Sequence, residues 1–282
     1  MIYDLHSHST ASDGELAPGQ LVRRARARGV DVLALTDHDT LEGLSEARTA
    51  ASELGLVLVA GVEISVTWEG RLIHVVGLGV DPQTPSLQAG LATLRDIRRR
   101  RAVEIGRRLA ALDIEGAYEG ALALARGKVV SRSHFARHLL SRGYGRDFKG
   151  VFKRYLGRGC PAYVPCRWAA LGEAVRWIRE AGGQAVVAHP ARYRMGRRLL
   201  QAFLEDFTAA GGCGIEVSSS SHTPGECREM ARWAARFGLY ASAGSDFHGI
   251  GKGWAELGRM PPLPAECTPI WQDWPLPLPM EA

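Results

Sequence analysis

The sequence predicts an α/β fold in which seven strands form a parallel sheet covered by helices. Seven short runs carry the strand signal, because they are rich in β-branched or small residues and mostly apolar on both faces, as buried parallel strands are. Amphipathic stretches separate several of these runs. Each ends at a glycine, which is common just past a helix C-terminus. The β-α-β-α alternation indicates a parallel sheet that is either open or closed into a barrel.

The predicted segments follow one another along the chain with one long interruption. The strand-like runs are residues 2–5, 31–36, 56–64, 72–80, 184–189, 213–219 and 239–246. The helix-like stretches between them are residues 17–29, 41–55, 171–183 and 224–238. About three further helix-like segments lie between residues 86 and 165, with no convincing strand among them. We therefore predict a helical insertion at 86–165 in a body formed by 1–85 and 166–260.

Composition argues against a membrane-spanning protein and against a disulfide-rich protein. No run of about 18 apolar residues occurs, and the N-terminus lacks the basic-then-apolar order of a signal peptide, so we predict a cytoplasmic protein without a membrane segment. The five cysteines are scattered and never spaced as C-x-x-C, which argues against a disulfide framework and a thiolate zinc site. Seven of the 14 prolines lie in the last 23 residues, so we predict an extended tail over 261–282.

Positive charge is concentrated in the predicted insertion. Residues 95–158 carry 17 Lys or Arg against 6 Asp or Glu, whereas the chain as a whole has a net charge of only +5. A basic patch attracts phosphates by long-range electrostatics. The alternative is a solvated helix face that owes its arginines to genome composition. Charge alone leaves both interpretations open.

Histidines and acids follow the predicted strands. The candidates are His6, His8, Asp13, His38, Glu63, His74, His134, Asp246 and His248. Because the C-terminal ends of parallel strands open on one face, these side chains are expected to converge there. Imidazoles mixed with carboxylates suit Mn²⁺, Fe²⁺ or Zn²⁺, and nine ligands exceed the capacity of one ion. We therefore predict two or three divalent metals with a bridging carboxylate.

These residues occur in motifs that resemble those of the PHP (polymerase and histidinol phosphatase) family. The motifs are H-x-H at His6 and His8, T-D-H-D at Thr36–Asp39, the glutamate of G-V-E-I at Glu63, His74, S-R-x-H at Ser131–His134, and S-D-x-H at Ser245–His248. The resemblance implies a distorted seven-stranded, TIM-like (β/α) barrel with a trinuclear metal centre. Within the family, the chain is similar to the branch that includes RNase AM and nucleoside 3′,5′-bisphosphate phosphatases.

The resemblance also implies a ligand set. One metal would take His6, His8, Glu63 and Asp246, a second Glu63, His74 and His134, and a third Asp13, His38 and His248. Mn²⁺ is the expected ion, with Fe²⁺ or Zn²⁺ as alternatives. Because every ligand position is filled, the chain resembles a competent metal-dependent phosphoric ester hydrolase rather than a degenerate structural module.

Further residues are candidates for substrate contact. Arg132 is expected to neutralise charge on the phosphoryl oxygens, or else to pair with a helix carboxylate at the surface. His189 is a candidate general acid, phosphate donor or group that orients a metal ligand. Tyr163 and Arg167 are candidate substrate contacts, with Tyr163 stacking a base. Asp37 and Asp39 either orient ligands or end a strand and cap the next helix.

A basic insertion over a metal site favours a substrate with at least two phosphates. A nucleoside 3′,5′-bisphosphate and the 5′-phosphorylated end of a short RNA or DNA, cut one nucleotide at a time, both meet that demand. The alternatives are a histidinol-phosphatase-like enzyme, a non-catalytic PHP module and a metal-dependent amidohydrolase. No obligatory protein partner is expected.

Overall fold

A computed structural model of the protein describes residues 1–127, 129–251 and 255–275. Its strands are β1 (Tyr3–Asp4), β2 (Val32–Leu35), β3 (Val57–Trp68), β4 (Arg71–Leu78), β5 (Ala169–Ala170), β6 (Gln184–Val187), β7 (Gly214–Ser219) and β8 (Tyr240–Gly244). Its α-helices are α1 (Pro18–Ala27), α2 (Leu44–Leu54), α3 (Pro85–Ala110), α4 (Ala117–Leu124), α5 (Arg132–Ser141), α6 (Phe148–Val151), α7 (Leu171–Glu180), α8 (Arg197–Ala209) and α9 (Pro224–Phe237). A π-helical turn at Phe152–Leu156 and a 3₁₀ turn at Pro190–Tyr193 complete the helical structure of these residues.

Seven of the strands form a nearly closed barrel in the order β1-β2-β3-β4-β6-β7-β8, and β5 pairs with β3 outside this path. Backbone hydrogen bonds join the two ends of the sheet: Leu5 N donates to Ala243 O at 2.9 Å, and Asp246 N donates to His6 O at 2.8 Å. Gly244 permits the close approach, because a Cβ there would lie 2.3 Å from His6 Cβ. The predicted seven-stranded barrel is confirmed.

The prediction of an all-parallel sheet is wrong at β4. This strand runs antiparallel to both β3 and β6. Glu69 and Gly70 form the two-residue turn between β3 and β4, both at positive φ (44° and 69°). Such a turn connects only antiparallel strands, since a parallel crossover needs a dozen or more residues. The hairpin pairs Ser65 with His74, which places His74 diagonally across from Glu63.

The described part of the predicted C-terminal tail packs against the N-terminal end of the barrel. Ile270 is buried and belongs to the same apolar cluster as Leu5 and Val186. Its backbone N–H donates to Ala241 O at 3.0 Å, and Trp271 stacks on Tyr3 with ring centroids 4.1 Å apart. The tail therefore closes the barrel at the end opposite the strand C-termini. Residues 276–282 lie outside the described residues.

Replacing Ile270 by alanine is expected to lower the free energy of unfolding by about 2–5 kcal/mol, since it leaves a cavity among buried apolar side chains. Urea unfolding followed by tryptophan fluorescence measures this change. Ile250→Ala is the matched control, because Ile250 is 56% exposed and its truncation should change stability by less than about 0.5 kcal/mol. Equal effects of the two substitutions would contradict a packing role for Ile270.

The segment predicted as a helical insertion contains α3 to α6 and the π-helical turn. Leu87 and Leu91, near the start of α3, pack into the largest cluster of barrel residues, whereas Ile105 and Leu109 pack with Phe135 in a separate cluster. Helix α3 therefore links the barrel to a second small core. No helix in the described residues combines the length and apolar character that a membrane span requires.

Candidate metal centre

A completely buried carboxylate, Glu63, lies at the centre of the site and is surrounded by five imidazoles. Its Oε1 atom lies 3.4 Å from His6 Nε2, 2.8 Å from His74 Nδ1 and 3.0 Å from His189 Nε2, and its Oε2 atom lies 3.4 Å from His8 Nε2 and 2.7 Å from His38 Nδ1. Both oxygens of one carboxylate therefore face several ligand-type nitrogens. This is the arrangement required of a carboxylate that bridges metal ions.

Two aspartates extend the cluster toward the cavity. Asp246 Oδ1 lies 3.3 Å from His8 Nε2 and 3.6 Å from His6 Nε2. Asp13 Oδ1 lies 3.3 Å from His248 Nε2. Ligand atoms within 4.8 Å of one another form three groups in the described residues: His8, Asp13, His38 and His248; His6, His8 and Glu63; and His38, Glu63 and His74. These groups and Asp246 thus bring together eight of the nine sequence-predicted candidates.

The donor atoms fit divalent metal ions. Seven of them are buried without a hydrogen-bond partner among the described residues: His6 Nε2, His8 Nδ1 and Nε2, Asp13 Oδ1, His38 Nδ1, Glu63 Oε2 and His74 Nδ1. An unsatisfied buried polar atom costs about 1–3 kcal/mol, so native proteins rarely keep several together without a ligand. Imidazole nitrogens and carboxylate oxygens without thiolates match borderline divalent ions.

Close packing of acids and imidazoles shifts their pKa values in opposite directions. Burial would raise the pKa of Glu63, but the neighbouring His74, His38 and His6 hold it well below its ordinary value. Burial, with the charges of His248 and His38, lowers the pKa of His8 to about 3. Burial would also lower the pKa of His248, but Asp13 and Asp246 raise it to about 9. The carboxylates are therefore ionised and ready to bind cations.

The metal-free protein is expected to lose stability as pH rises from 6.5 to about 9. The pKa of His248 is raised in the folded state, so its protonated ring contributes fully below its ordinary pKa of 6.5, and this contribution is lost as pH rises through about 9. The pKa values of His6 and His38 are raised too, which adds to the trend. Bound metal replaces these protons, so the loaded protein should not show the loss. Melting temperatures across this range, with EDTA and with Mn²⁺, test the difference; an EDTA curve parallel to the Mn²⁺ curve would contradict it.

Glu216 was not anticipated from the sequence, and it contacts the His6 ring of the cluster. This carboxylate is buried on β7, and its Oε1 atom lies 2.5 Å from His6 Nδ1. Its Oε2 atom accepts a hydrogen bond from the backbone N–H of His189. A carboxylate on the far nitrogen of an imidazole fixes the ring orientation and strengthens the ligand. In the sequence, this role is indicated only by the presence of an acidic residue within an otherwise apolar strand-like run.

Asp37 and Asp39 hold the loops of the site rather than capping the next helix. Asp37 accepts hydrogen bonds from the hydroxyls of Ser9 and Ser12, which fixes the loop before Asp13. Asp39 accepts from Ser65 N at 2.7 Å and pairs with a buried arginine of α3. The interpretation of these acids as groups that orient the site is therefore the better one. Helix α2 is preceded by Gly43 and lacks a side-chain cap.

His134 stays a predicted metal ligand, and a further histidine, His189, lies beside Glu63. His134 lies buried on α5, where its Nδ1 atom accepts a hydrogen bond from the backbone N–H of Ser131 at 3.0 Å. Neither His134 nor His189 belongs to the three ligand groups. His189 follows β6, and its Nε2 atom lies 3.0 Å from Glu63 Oε1, with its ring 5.4 Å from that of His74. The structure thus brings His189 beside Glu63 and His74.

A cavity of about 1060 Å³ opens above the cluster, and its walls are basic and aromatic. The basic residues are Arg98, Arg101, Arg132, Arg137, Lys149 and Arg192, of which sequence reasoning singled out Arg132 alone. The guanidinium of Arg132 lies over the Phe152 ring at 5.5 Å. Tyr163 lines a neighbouring cavity of about 140 Å³. Arg167 is exposed and lines neither cavity.

Comparison with known proteins identifies the family to which this barrel and its cluster belong. The family model for the PHP domain matches residues 4–220. The chain belongs to the PHP domain family. This match confirms the predicted family. Relatives named as a phosphatase and as an exoribonuclease confirm the predicted class of hydrolase.

Two relatives match the PHP domain chain over nearly its whole length. The 3′,5′-nucleoside bisphosphate phosphatase of Chromobacterium violaceum is 48% identical over 96% of this chain and 95% of its own length. The 5′-3′ exoribonuclease Rnm of Escherichia coli is 44% identical over 97% of this chain and 94% of its own length. A solved structure described as an amidohydrolase from C. violaceum, with bound sulfate and no metal, superposes with a TM-score of 0.92, at 48% identity over 96% of this chain and 95% of that one.

Proposed function

We propose that this PHP domain protein hydrolyses the ester at a 3′ oxygen next to a 5′-phosphate. Its substrates would be nucleoside 3′,5′-bisphosphates, which yield a nucleoside 5′-phosphate and phosphate, or short 5′-phosphorylated oligonucleotides trimmed from the 5′ end. The observation that carries the proposal is the buried cluster around Glu63 on the floor of a basic cavity. The names of the two relatives support the same reaction.

We infer that the cluster holds two or three divalent ions, with Mn²⁺ the expected one and Fe²⁺ or Zn²⁺ as alternatives. The proposed ligands are His6, His8, Glu63 and Asp246 for one ion, Glu63, His74 and His189 for a second, and Asp13, His38 and His248 for a third. Divalent ions, when bound, lower the pKa of a shared water toward neutrality and clamp the oxygens of an in-line phosphoryl displacement. Glu63 would bridge the first two ions.

Residues of the chain itself orient the metal ligands and neutralise the negative charge of the substrate phosphates. Glu216 fixes His6 through Nδ1, and Ser131 Oγ donates to Asp13 Oδ2 at 3.0 Å, so that the free lone pairs face the cavity. The basic wall attracts the phosphates and offsets the charge that develops on the phosphoryl oxygens. His189 Nε2 is directed at Glu63, so we assign His189 to the metal site and no longer to protonation of the leaving group.

The competing functions fit this site less well. A histidinol-phosphatase-like enzyme must bind a cationic amino alcohol, which the basic wall would repel. A non-catalytic module would not need to keep this full set of buried ligand atoms. An amidohydrolase would make little use of the arginines, although one solved relative bears that description. We also propose that residues 86–165 form a basic helical insertion that acts as a lid over the metal site, that the protein is cytoplasmic and that it needs no protein partner.

Release of phosphate and nucleotide by the Mn²⁺-loaded protein tests the proposed function. The substrates are adenosine 3′,5′-bisphosphate, a short 5′-phosphorylated RNA and histidinol phosphate, and Asp13→Ala is the inactive control. We expect AMP and phosphate from the first substrate or 5′-mononucleotides from the second. Turnover of histidinol phosphate alone, or no turnover with metal bound, would overturn the proposal.

A further inference from the structure

The segment that follows α5 presents positive charge outside the main cavity. Residues 142–158 contain six Lys or Arg and a single acid, Asp147. The Asp147 carboxylate accepts a hydrogen bond from the backbone N–H of Gly150 at 2.6 Å and so caps α6. All six basic residues are exposed, and in the described part of the chain no carboxylate forms an ion pair with any of them. We call four of them the basic rim: Arg146, Lys149, Lys153 and Arg154.

The helical part of this segment, α6 and the π-helical turn, presents three different faces. The residues of one face are buried in the second small core: Val151, Tyr155 and Leu156. Phe148 and Phe152 line the main cavity, with their ring centroids 5.2 Å apart. Lys149 lines the same cavity, whereas Lys153, about one turn further along, and Arg154 line neither cavity and face solvent. The basic rim therefore starts at the cavity wall and continues onto the outer surface.

The chemistry of this surface fits a single-stranded nucleic acid better than a lipid membrane. Proteins that bind single strands combine cations along the backbone with nearby aromatic faces, and both are present here. A helix that binds a membrane surface presents exposed large apolar side chains beside its cations. Residues 142–158, all of which the structure describes, contain no exposed large apolar side chain. π-helical turns are rare and frequently lie at functional sites.

We propose that the basic rim binds the sugar–phosphate backbone of an oligonucleotide on the 3′ side of the nucleotide that is released. The inference rests on the proposed function and separates its two substrate classes. The cavity of about 1060 Å³ is large enough to enclose one nucleotide, so a nucleoside bisphosphate has no further phosphate that could reach the outer surface. A longer strand must leave through the cavity mouth, where the rim lies. The rim therefore promotes trimming of oligonucleotides and is not needed for hydrolysis of bisphosphates.

The triple substitution Arg146→Gln, Lys153→Gln and Arg154→Gln tests this separation, because these three side chains line neither cavity. At low salt, kcat/KM for a 5′-phosphorylated single-stranded RNA of about eight nucleotides should fall by about 5- to 50-fold. The plot of log kcat/KM for this RNA against log salt should become shallower by about 2, since each contact with a single strand contributes about 0.7. The kcat/KM for adenosine 3′,5′-bisphosphate should stay unchanged. An equal loss on both substrates, or no loss on the RNA, would overturn the inference.

A second triple variant provides a control with the same change in net charge. It replaces three exposed arginines of the barrel helices α1, α2 and α9 by glutamine: Arg26, Arg48 and Arg232. This variant should trim the RNA as the wild-type protein does. A loss equal to that of the rim variant would assign the effect to net charge and would overturn the inference. Both variants should keep the melting temperature of the wild-type protein, because every substituted side chain is exposed.

A binding measurement keeps this inference separate from the proposed activity. Fluorescence anisotropy of the labelled RNA, titrated with Mn²⁺-loaded Asp13→Ala protein, does not depend on turnover. Adding the rim substitutions should weaken RNA binding by about 5- to 50-fold and leave AMP binding unchanged. If the wild-type protein hydrolyses neither substrate, the proposed function fails while this titration still decides the role of the rim.

Two results of the binding measurements would overturn the rim alone. One is an equal affinity for RNA with and without the rim substitutions. The other is a loss of binding to phosphatidylserine vesicles while the affinity for RNA is retained, which would assign the rim to a membrane surface.

Discussion

Replacing Glu63 by glutamine is expected to abolish phosphate release, with a fall of more than about 1000-fold in kcat. The substitution keeps the shape of the side chain but removes the negative charge that five imidazoles face. Without the proposed bridging carboxylate the site should not hold paired metal ions, and the lowering of the pKa of a bound water that such ions would supply would be lost with them. Metal content by mass spectrometry and initial rates of phosphate release measure the two effects together.

Glu180→Gln provides the control for the Glu63 experiment, because Glu180 is exposed at the end of α7. It should keep the metal content and rate of the wild-type protein. A Glu63→Gln protein that retains all its metal and most of its activity would show that Glu63 is a structural acid and would remove the proposed bridge.

His189→Ala is expected to lower metal content and kcat, whereas His134→Ala is expected to lower the melting temperature. After Glu63→Gln, His189→Ala has the largest expected effect on kcat. His189 lies 3.0 Å from Glu63, so its loss should remove one metal ion per chain and lower kcat by more than about 100-fold, beyond the usual effect of groups that only support a ligand. His134 accepts a hydrogen bond at the start of α5, so its loss should lower the melting temperature and leave the metal content unchanged.

Metal-to-protein ratios of the two purified variants decide between the ligand assignments. A reduced ratio in His134→Ala with a full ratio in His189→Ala would restore the ligand set that the family resemblance implied. Thermal melts of both proteins report whether a lost activity reflects lost metal or lost folding.

Much of the site was predictable because its residues belong to short motifs at strand ends. His6 and His8 follow β1 in an H-x-H motif, and His38 follows β2, so parallel pairing alone carries them to one rim of the barrel. The hairpin of β3 and β4 was missed, although the two-residue connection at Glu69 and Gly70 already excluded a parallel crossover. His74 nevertheless lies 2.8 Å from Glu63, because β4 pairs with β3 in the hairpin.

The remaining features depend on contacts between distant parts of the chain. His189 follows β6, and only the pairing of β6 with β4 brings its Nε2 atom to 3.0 Å from Glu63. Glu216 has the sequence context of an ordinary strand residue, and it becomes a partner of His6 only because β7 and β8 complete the barrel beside β1.

The run of arginines at 98–101 illustrates the division between sequence and structure. The sequence by itself determined the fold class, the metal-binding character of the histidines and acids, and the positive charge of the helical segment, because each depends on residue type and local spacing. Four adjacent arginines have the same chemistry, so the sequence does not distinguish among them. The helical phase of α3 and its packing on Trp168 decide that Arg101 enters the cavity without an acid partner among the described residues, whereas Arg99 faces solvent. Burial and charge balance are properties of the tertiary structure.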